Sequence, residues 1–513
     1  KTNKKLINLS HNLEILNEVF GKKLNLNFNN ISTNSKKIKK NDLFIALKGK
    51  HKDGHNFINE SIKNGAKICI ISQKTKKKSN KLLKVKNSYS FLYNFAKTKR
   101  AASKAKIIAI TGSSGKTTLK TMLGKLLLKY SETYYSPQSF NNNFGVPISL
   151  SNLRKTDKFG VFEVGMNKPG EINKLTKLIK PNIGIITNIA EAHIENFKNL
   201  KGIANAKSEI INNITTGGYI ILNRDDKFFN YLNNIASKKK INIISYGFSK
   251  LSDIQLAGLK KLKKQFDLKI RVFNKVINIK SKKINFYNIL SSIAVLKVLG
   301  LDLKKIENFF SNFDLVEGRG KVHKIKRFHT NFKLIDESYN ANPFSTKNAI
   351  ISLSNIKKKN FKKYLLLGDM LELGETAASL HKEVSEPVME YGIDLVFAAG
   401  PLMRDLISAL PAEKRGAWAK KAEHLLPSLT AALKEGDRVL VKGAKGNAPG
   451  HEYKVCMTHN AGFRGGHLFG FYGSEASEKA NAFAIAALAR AKKTLKNKGM
   501  LGFIEESIEI LGT

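Results

Sequence analysis

Cysteine is nearly absent. Among 513 residues only Cys69 and Cys456 occur. Two cysteines exclude a disulfide framework and cannot by themselves make a zinc site, and the cytoplasm is the expected compartment. Long apolar runs are absent as well. Nothing approaches the ~20 residues that a membrane-spanning helix needs, so no membrane insertion is expected. The basic N-terminal stretch KTNKKLINLSHNLEIL is followed by neither a long apolar core nor a small-residue cleavage site, and no signal peptide is read there. Acidic residues are scarce: 40 Asp and Glu stand against 89 Lys and Arg, a formal charge of +49. That excess invites a nucleic-acid reading. The lysines, however, are scattered through nearly every segment as far as Lys363 and form no stripe with interleaved aromatics. They read as solvated faces, with a steering role toward an anionic nucleotide, and no nucleic-acid partner is expected.

What is present suffices for several cores. Hydrophobic residues make up 42% of the chain, and the length suggests roughly two to four domains. In the first hundred residues DLFIAL (42–47) and AKICIIS (66–72) read as strands, with FINESIKNG as a helix between them. From Lys106 to about Glu317, β-branched runs alternate with amphipathic segments: IIAI, VFEVG, IGIITNI and YIILN are separated by stretches such as TTLKTMLGKLLLKY and GEINKLTKLIK. That rhythm predicts parallel βαβ units. It resumes from Gly318 to Gly450, with KLIDESY, YLLLGDM, LVFAAG and RVLVKG as strands. Composition shifts near Lys363 from Lys, Asn, Ile and Phe toward Ala, Glu, Leu and Gly, but the motifs run across that point and no boundary is drawn there. No solenoid repeat is visible.

The strongest chemical signal is IIAITGSSGKTTLKTML, an apolar strand running through TGSSGKTT into a helix. Gly112 and Gly115 let the backbone turn tightly and aim N–H groups at phosphate oxygens. Ser113, Ser114 and Thr118 complete the loop, and the helix start adds its positive dipole end. Lys116 is suited to the β- and γ-phosphates, and the Thr117 hydroxyl to Mg²⁺. The full G-x-x-x-x-G-K-[ST] spacing is not met, because Ile110 stands at the first glycine; the shorter G-x-x-G-K-T remains.

Further motifs follow in a fixed order: SFNNNFGVP (139–147), FEVGMNKPGEI (162–172), TNIAEAHIENF (187–197), ANAKSEI (204–210), EGRG (317–320), IDESYNANP (335–343) and LLGDMLELG (366–374). Together with the loop they resemble the Mur ligase family, over about residues 30–446. The resemblance implies an α/β fold of three domains: a small N-terminal α/β domain (1–100) for a UDP-sugar, a central P-loop parallel-sheet ATPase domain (101–317) and a Rossmann-like C-terminal domain (318–450), followed by an unassigned extension (451–513). It implies an ATP-dependent ligase using ATP and two Mg²⁺ ions. The dense S-Y-N-A-N-P and G-D-M-x-E-L-G motifs resemble the branch whose substrates are UDP-N-acetylmuramoyl-tripeptide and D-alanyl-D-alanine, joined through an acyl-phosphate in peptidoglycan precursor synthesis. A monomer is expected.

Roles follow from the resemblance residue by residue. Glu163, an oxygen ligand suited to a hard cation, would hold Mg²⁺, and His193 the second ion. Lys207 would be carbamylated and share a metal. Asn288 would meet the nucleotide base, although the G-x-H that precedes it in the family is replaced here by Lys282, Lys283 and Ile284. Arg319 would reach the γ-phosphate as the domains close, with a hinge at Glu317–Arg319, and Asp336 would hold the ribose. Tyr339, Asn340 and Asn342 would lie beside the nucleotide and the dipeptide, and Asn141 and Asn142 near the muramoyl-peptide. In the N-terminal domain Asp53, Gly54 and His55 resemble a uridine-site loop. Asn34, Ser35 and Lys36 stand where the family has D-S-R, a change that keeps charge but loses the arginine fork.

Each residue also has a plain structural reading, as a turn former, a helix cap or a surface cation. Beyond Asn447 the chain matches no pattern recognised here. Its SEKANAFAIAALARAKKTL reads as one amphipathic helix, and His451, His459, His467 and Cys456 fit no zinc spacing. Three other readings stay open. One is a sibling amide ligase, such as another Mur-type ligase or a folylpolyglutamate synthase. The second is a nucleic-acid-stimulated P-loop ATPase, although no helicase motif is visible. An inactive relative is the third.

Overall fold

In the computed structural model three β-sheets follow one another along the chain. The structure describes residues 2–443 apart from 50–51, 74–78, 192–193, 198, 263–264, 283–284, 317, 328–329 and 357–359. His193, Lys283, Ile284, Glu317 and the segment carrying His451, Cys456, His459 and His467 therefore lie outside the described residues.

The first sheet has four parallel strands in chain order, Ile31–Ser32, Asp42–Ile45, Ala66–Ile71 and Leu82–Lys84. Every residue of Asp42–Ile45 is buried, as expected of a parallel strand covered on both faces. The two outer strands span only two and three residues, too short to show a period. A helix over Thr2–Phe20 buries Ile15 and Leu16 against Phe91, Leu92 and Phe95 of the helix Ser88–Ala101. From the same Ser88–Ala101 helix, Lys99 is 2% exposed and donates to the Asn12 side-chain oxygen.

The second sheet has nine strands. Six of them, Asn242–Gly247, Tyr219–Asn223, Ile183–Ile186, Lys106–Thr111, Phe159–Glu163 and Thr133–Tyr135, lie side by side in that order and are parallel. The alternation predicted parallel units as far as Glu317, and here the structure departs from it. Ile254–Lys261, Phe266–Val272 and Lys275–Ser281 extend the sheet as an antiparallel meander. Their sequences alternate polar and apolar residues, with charges on the exposed face. Such half-solvated strands joined by short turns pair antiparallel. The helix Phe286–Val298 packs between this extension and the phosphate-loop helix, and Asn288 through Leu296 are all buried.

The third sheet orders Lys321–Arg327, Thr330–Asp336, Arg438–Lys442, Lys363–Gly368, Leu395–Ala399 and Arg415–Ala419. The first pair is antiparallel and the rest parallel. The two outer strands were not anticipated, because the sequence signal of a half-exposed edge is weak. Lys363, where composition shifts, opens a fully buried interior strand, so no domain boundary falls there. Among the described residues no helix is long and apolar enough to cross a membrane.

Candidate active site

The sheet order determines what meets at its carboxyl edge. Lys106–Thr111 lies between Phe159–Glu163 and Ile183–Ile186, with Ile110 opposite Glu163 and Thr111 opposite Ile186. Parallel neighbours end on the same side, where α/β proteins place ligands. The phosphate loop, Glu163 and Thr187 are thus brought together by pairing alone. Gly112 has φ +143°, and a Cβ there would fall 1.9 Å from the Thr187 hydroxyl oxygen, so only glycine fits. Gly115, at φ +81°, caps the helix Lys116–Leu127. Leu119, Met122, Leu123, Leu126 and Leu127 bury one face of that helix, the i, i+3, i+4, i+7 spacing of an amphipathic segment.

Thr187 and Asn188, to which the sequence assigned no role, brace the loop. The Ser113 amide donates to the Asn188 carbonyl at 2.9 Å and the Ser114 amide to the Asn188 side-chain oxygen at 3.0 Å. The Thr187 hydroxyl donates to the Ser114 carbonyl at 2.7 Å. Ser113 and Ser114 were expected to offer amides to a phosphate; here those amides hold the loop's shape. The amides that open the helix, at Lys116, Thr117 and Thr118, have no partner within the helix, as at any helix start, and these point an anion to the end of the loop.

Around this loop cations gather on one carboxylate. Glu163 is 1% exposed. It accepts from the Thr117 hydroxyl at 2.9 Å and from the Asn141 side-chain amide at 2.8 Å, and its Oε2 lies 3.9 Å from Lys120 Nζ. Lys116 curls back to donate to the Gly112 carbonyl at 2.6 Å. Burial, reinforced by Arg319 and opposed by Glu163, holds the Lys116 amine below the ordinary lysine range and brings Lys120 down to about 8. Lys207 is buried. Burial and the nearby Lys116 charge push it far below its ordinary value. An uncharged amine is the form that can add carbon dioxide.

Arg319 arrives from the third sheet's side. Its guanidinium lies 3.9 Å from the Tyr339 ring centroid and donates to the Thr117 hydroxyl at 3.3 Å, while its Nε is buried without a partner. A second link joins the two parts, from the Glu195 amide to the Glu372 carbonyl at 3.4 Å. Asn288 stands over the loop: its Oδ1 would be 3.4 Å from a Cβ on Gly115, and its buried Nδ2 has no partner. Two orphaned donors and an oxygen pair, Thr117 with Glu163, suit a metal-bound polyphosphate and a nucleotide base.

Other expected residues sit elsewhere or serve the local structure. Asp336 is fully buried and accepts from the Gly318 amide at 2.7 Å and from Ser338, which closes the junction before Arg319. The Asn340 carbonyl accepts from Lys442 Nζ at 3.0 Å. Asn342 caps the helix Pro343–Ser354 in a capping box with Ser345, and Asn142 caps the turn at Phe144 and Gly145. In the first sheet's part, Asp53 accepts from the His55 amide at 2.9 Å and from its ring at 2.6 Å, and His55 Nε2 faces the Ser72 amide at 3.1 Å. Gly54 has the Leu47 amide nitrogen 2.7 Å from its Cβ position. Ser35 donates to Glu60 at 2.8 Å, and Lys36 is exposed. Asp53, Gly54, His55 and Ser35 are thus built into caps and turns of their own unit. Lys120 and Lys442 were missed. Among 89 basic residues only burial distinguishes them, although Lys120 stands one helical turn after Lys116. No cluster of three or more His, Cys, Asp or Glu able to hold a metal occurs among the described residues.

Comparison with known families matches the Mur ligase family catalytic domain over residues 27–110, the Mur ligase middle domain over 110–296 and the Mur ligase glutamate ligase domain over 320–445. The UDP-N-acetylmuramoyl-tripeptide–D-alanyl-D-alanine ligase of Rickettsia prowazekii is 34% identical over 450 residues, covering 86% of this chain and 97% of the relative. The chain belongs to the Mur ligase family. Among solved structures this Mur ligase is similar to MurF from Acinetobacter baumannii, with a TM-score of 0.73 and 27% identity over 84% of this chain and 95% of that one. It is also similar to the MurF ligase of Thermotoga maritima in complex with ADP, with a TM-score of 0.68 and 27% identity over 81% and 94% of the two chains. The end of the chain, for which the sequence offered no match, is similar over residues 426–513 to the acyclic terpene utilisation family protein AtuA.

Proposed function

We propose that this Mur ligase joins D-alanyl-D-alanine to the tripeptide carboxylate of UDP-N-acetylmuramoyl-tripeptide at the expense of ATP. The observation that carries the reading is the charge pattern: Lys116, Lys207 and Arg319 converge on the phosphate loop, beside the carboxylate of Glu163. Such a basin fits a triphosphate whose charge must be offset while one phosphoryl group moves. The substrates are inferred from the relatives, whose names state them and whose full length the chain nearly spans. The ADP bound to a structural neighbour supports ATP as the phosphoryl donor.

Thr117 and Glu163 are the described residues that would hold Mg²⁺, with Lys207 as a carbamate and His193 joining them by family resemblance. The ion would supply charge neutralisation on the phosphate oxygens. The protein's own residues do the positioning. Asn288 offers its free amide to the base. Lys116 swings from the Gly112 carbonyl to the phosphates, and Arg319, stacked on Tyr339, delivers a fixed cation from the far side. The tripeptide carboxylate attacks the γ-phosphorus, and the bond to the β–γ bridging oxygen breaks with release of ADP. The amine of the dipeptide then adds to the acyl-phosphate carbonyl, and phosphate leaves as the amide forms. Holding three reactants in line replaces most of the entropy cost.

The test is ADP release with UDP-N-acetylmuramoyl-tripeptide, with and without D-alanyl-D-alanine, and with single amino acids in its place. Release that requires the dipeptide supports the proposal. Release that proceeds equally with a single amino acid, or that responds only to nucleic acid, overturns it.

A further inference from the structure

Lys120 has no task in the chemistry above, yet it is 1% exposed in the middle of the site. It lies one turn after Lys116 on the helix Lys116–Leu127. Its Nζ donates to the Gln138 carbonyl and lies 3.9 Å from Glu163 Oε2. A buried ammonium is tolerated only where it is fully satisfied, and its two partners come from a loop and a strand that are far from it in sequence.

The loop is unusual in its own right. Gln138 has φ +45°, a left-handed conformation that a non-glycine residue holds only when its surroundings impose it. On either side the segment turns inward around Glu163. The Glu163 amide reaches the Ser136 hydroxyl at 3.4 Å, the Ser139 hydroxyl lies 3.2 Å from that of Thr117, and Asn141 donates to Glu163 Oε1 at 2.8 Å. Asn142 then caps the next helical turn. Lys120 is the cation at the middle of this wrap, bound to the one backbone carbonyl whose residue is strained.

We propose that Lys120 is a positioning residue: it ties the phosphate-loop helix to the Gln138 carbonyl and so seats the segment 136–142 against Glu163. The loop that faces the sugar-peptide substrate and the loop that faces ATP then move as one unit. The substrate side of this inference rests on the ligase reading; the tie itself does not.

Hydrogen exchange on the full chain tests the tie. In Lys120→Met, peptides covering 136–145 exchange about tenfold faster, while peptides of the first and third sheets keep their rates. The double variant Lys120→Met/Glu163→Gln removes both buried charges, guards against misfolding of the single variant, and shows the same loop acceleration. Calorimetry without nucleotide shows the affinity of Lys120→Met for UDP-N-acetylmuramoyl-tripeptide falling about tenfold, with ADP affinity in the absence of metal changed less than about twofold. A lysine that only filled space would lower the melting temperature without moving the loop's relative exchange or the split between the two affinities; that result overturns the proposal. Unchanged exchange of 136–145 in the double variant overturns it as well. If the unmodified chain fails to bind the UDP-sugar peptide, the ligase reading falls, and the exchange result still decides the role of Lys120.

Discussion

Replacing Lys99 by methionine is expected to stabilise the chain at neutral and acid pH, and the gain is expected to disappear in base. Lys99 is 2% exposed, on the helix that covers the first sheet, and its ammonium donates to Asn12. Burial brings its pKa down from the ordinary 10.5 to about 7; Asp157 and Glu14 oppose the shift and Lys155 adds to it. At about 1.4 kcal/mol per unit, charging this amine inside the fold costs on the order of 5 kcal/mol more than charging it in the unfolded chain. Methionine keeps the stem's volume and removes that cost. It also leaves the Asn12 oxygen without its donor, a loss of about 1–3 kcal/mol, so the net gain is roughly 2–4 kcal/mol. The sign of the pH dependence follows from proton binding. Between about pH 7 and 10.5 the unfolded chain carries the proton and the folded chain does not, so stability rises with pH across that window. Below it the penalty is present in full, and above it neither state is charged. Scanning calorimetry of both proteins at about pH 6, 8 and 10 reads the difference directly. The variant should melt higher at the lowest pH, and the gap should close toward the highest. An equal gap at all three values, or a variant that melts lower at pH 6, refutes the reasoning.

Lys116→Ala should lower kcat/KM for ligation by about 10²–10³, since it removes a preorganised cation from the phosphates, and ADP-release kinetics measure it. Gly112→Ala would drive a methyl to 1.9 Å from the Thr187 hydroxyl oxygen; ADP binding by calorimetry should be lost while circular dichroism keeps the wild-type helix content. Asn342→Ala removes the cap of the helix Pro343–Ser354 and should cost about 1 kcal/mol, seen as a lower melting temperature of the third sheet's part, with Trp418 fluorescence as the probe. Lys207, buried with its amine pushed far below the ordinary range, should take up carbon dioxide; activity should fall in carbon dioxide-free buffer and return on adding bicarbonate, and Lys207→Arg should show neither response.

The phosphate loop was legible because its chemistry is local. A strand, two glycines, Lys116 and Thr117 are adjacent in sequence, and each needs only its neighbours to take shape. Asn142 and Asn342 show the opposite side of that rule: in the fold they are caps, a role that the Asx turn chemistry of their own segments already contains. Lys120, Thr187 and Asn188 were not legible. Lys120 is one of 89 basic residues, and nothing in its own helix indicates that Gln138 and Glu163 will close over it. The antiparallel extension over 254–281 was missed for a related reason. Strand alternation specifies which face is buried, but pairing direction depends on turns and partners.

The order of residues alone determined the ligase family, the three successive α/β units and the glycine-lined turn from strand to helix, because local periodicity and short motifs survive without long-range contacts. Only the tertiary structure decided which lysines lose their water, which carboxylate they surround and that Arg319 reaches across to Thr117. Those outcomes depend on sheet order and burial, and both arise from pairing between segments far apart in the chain.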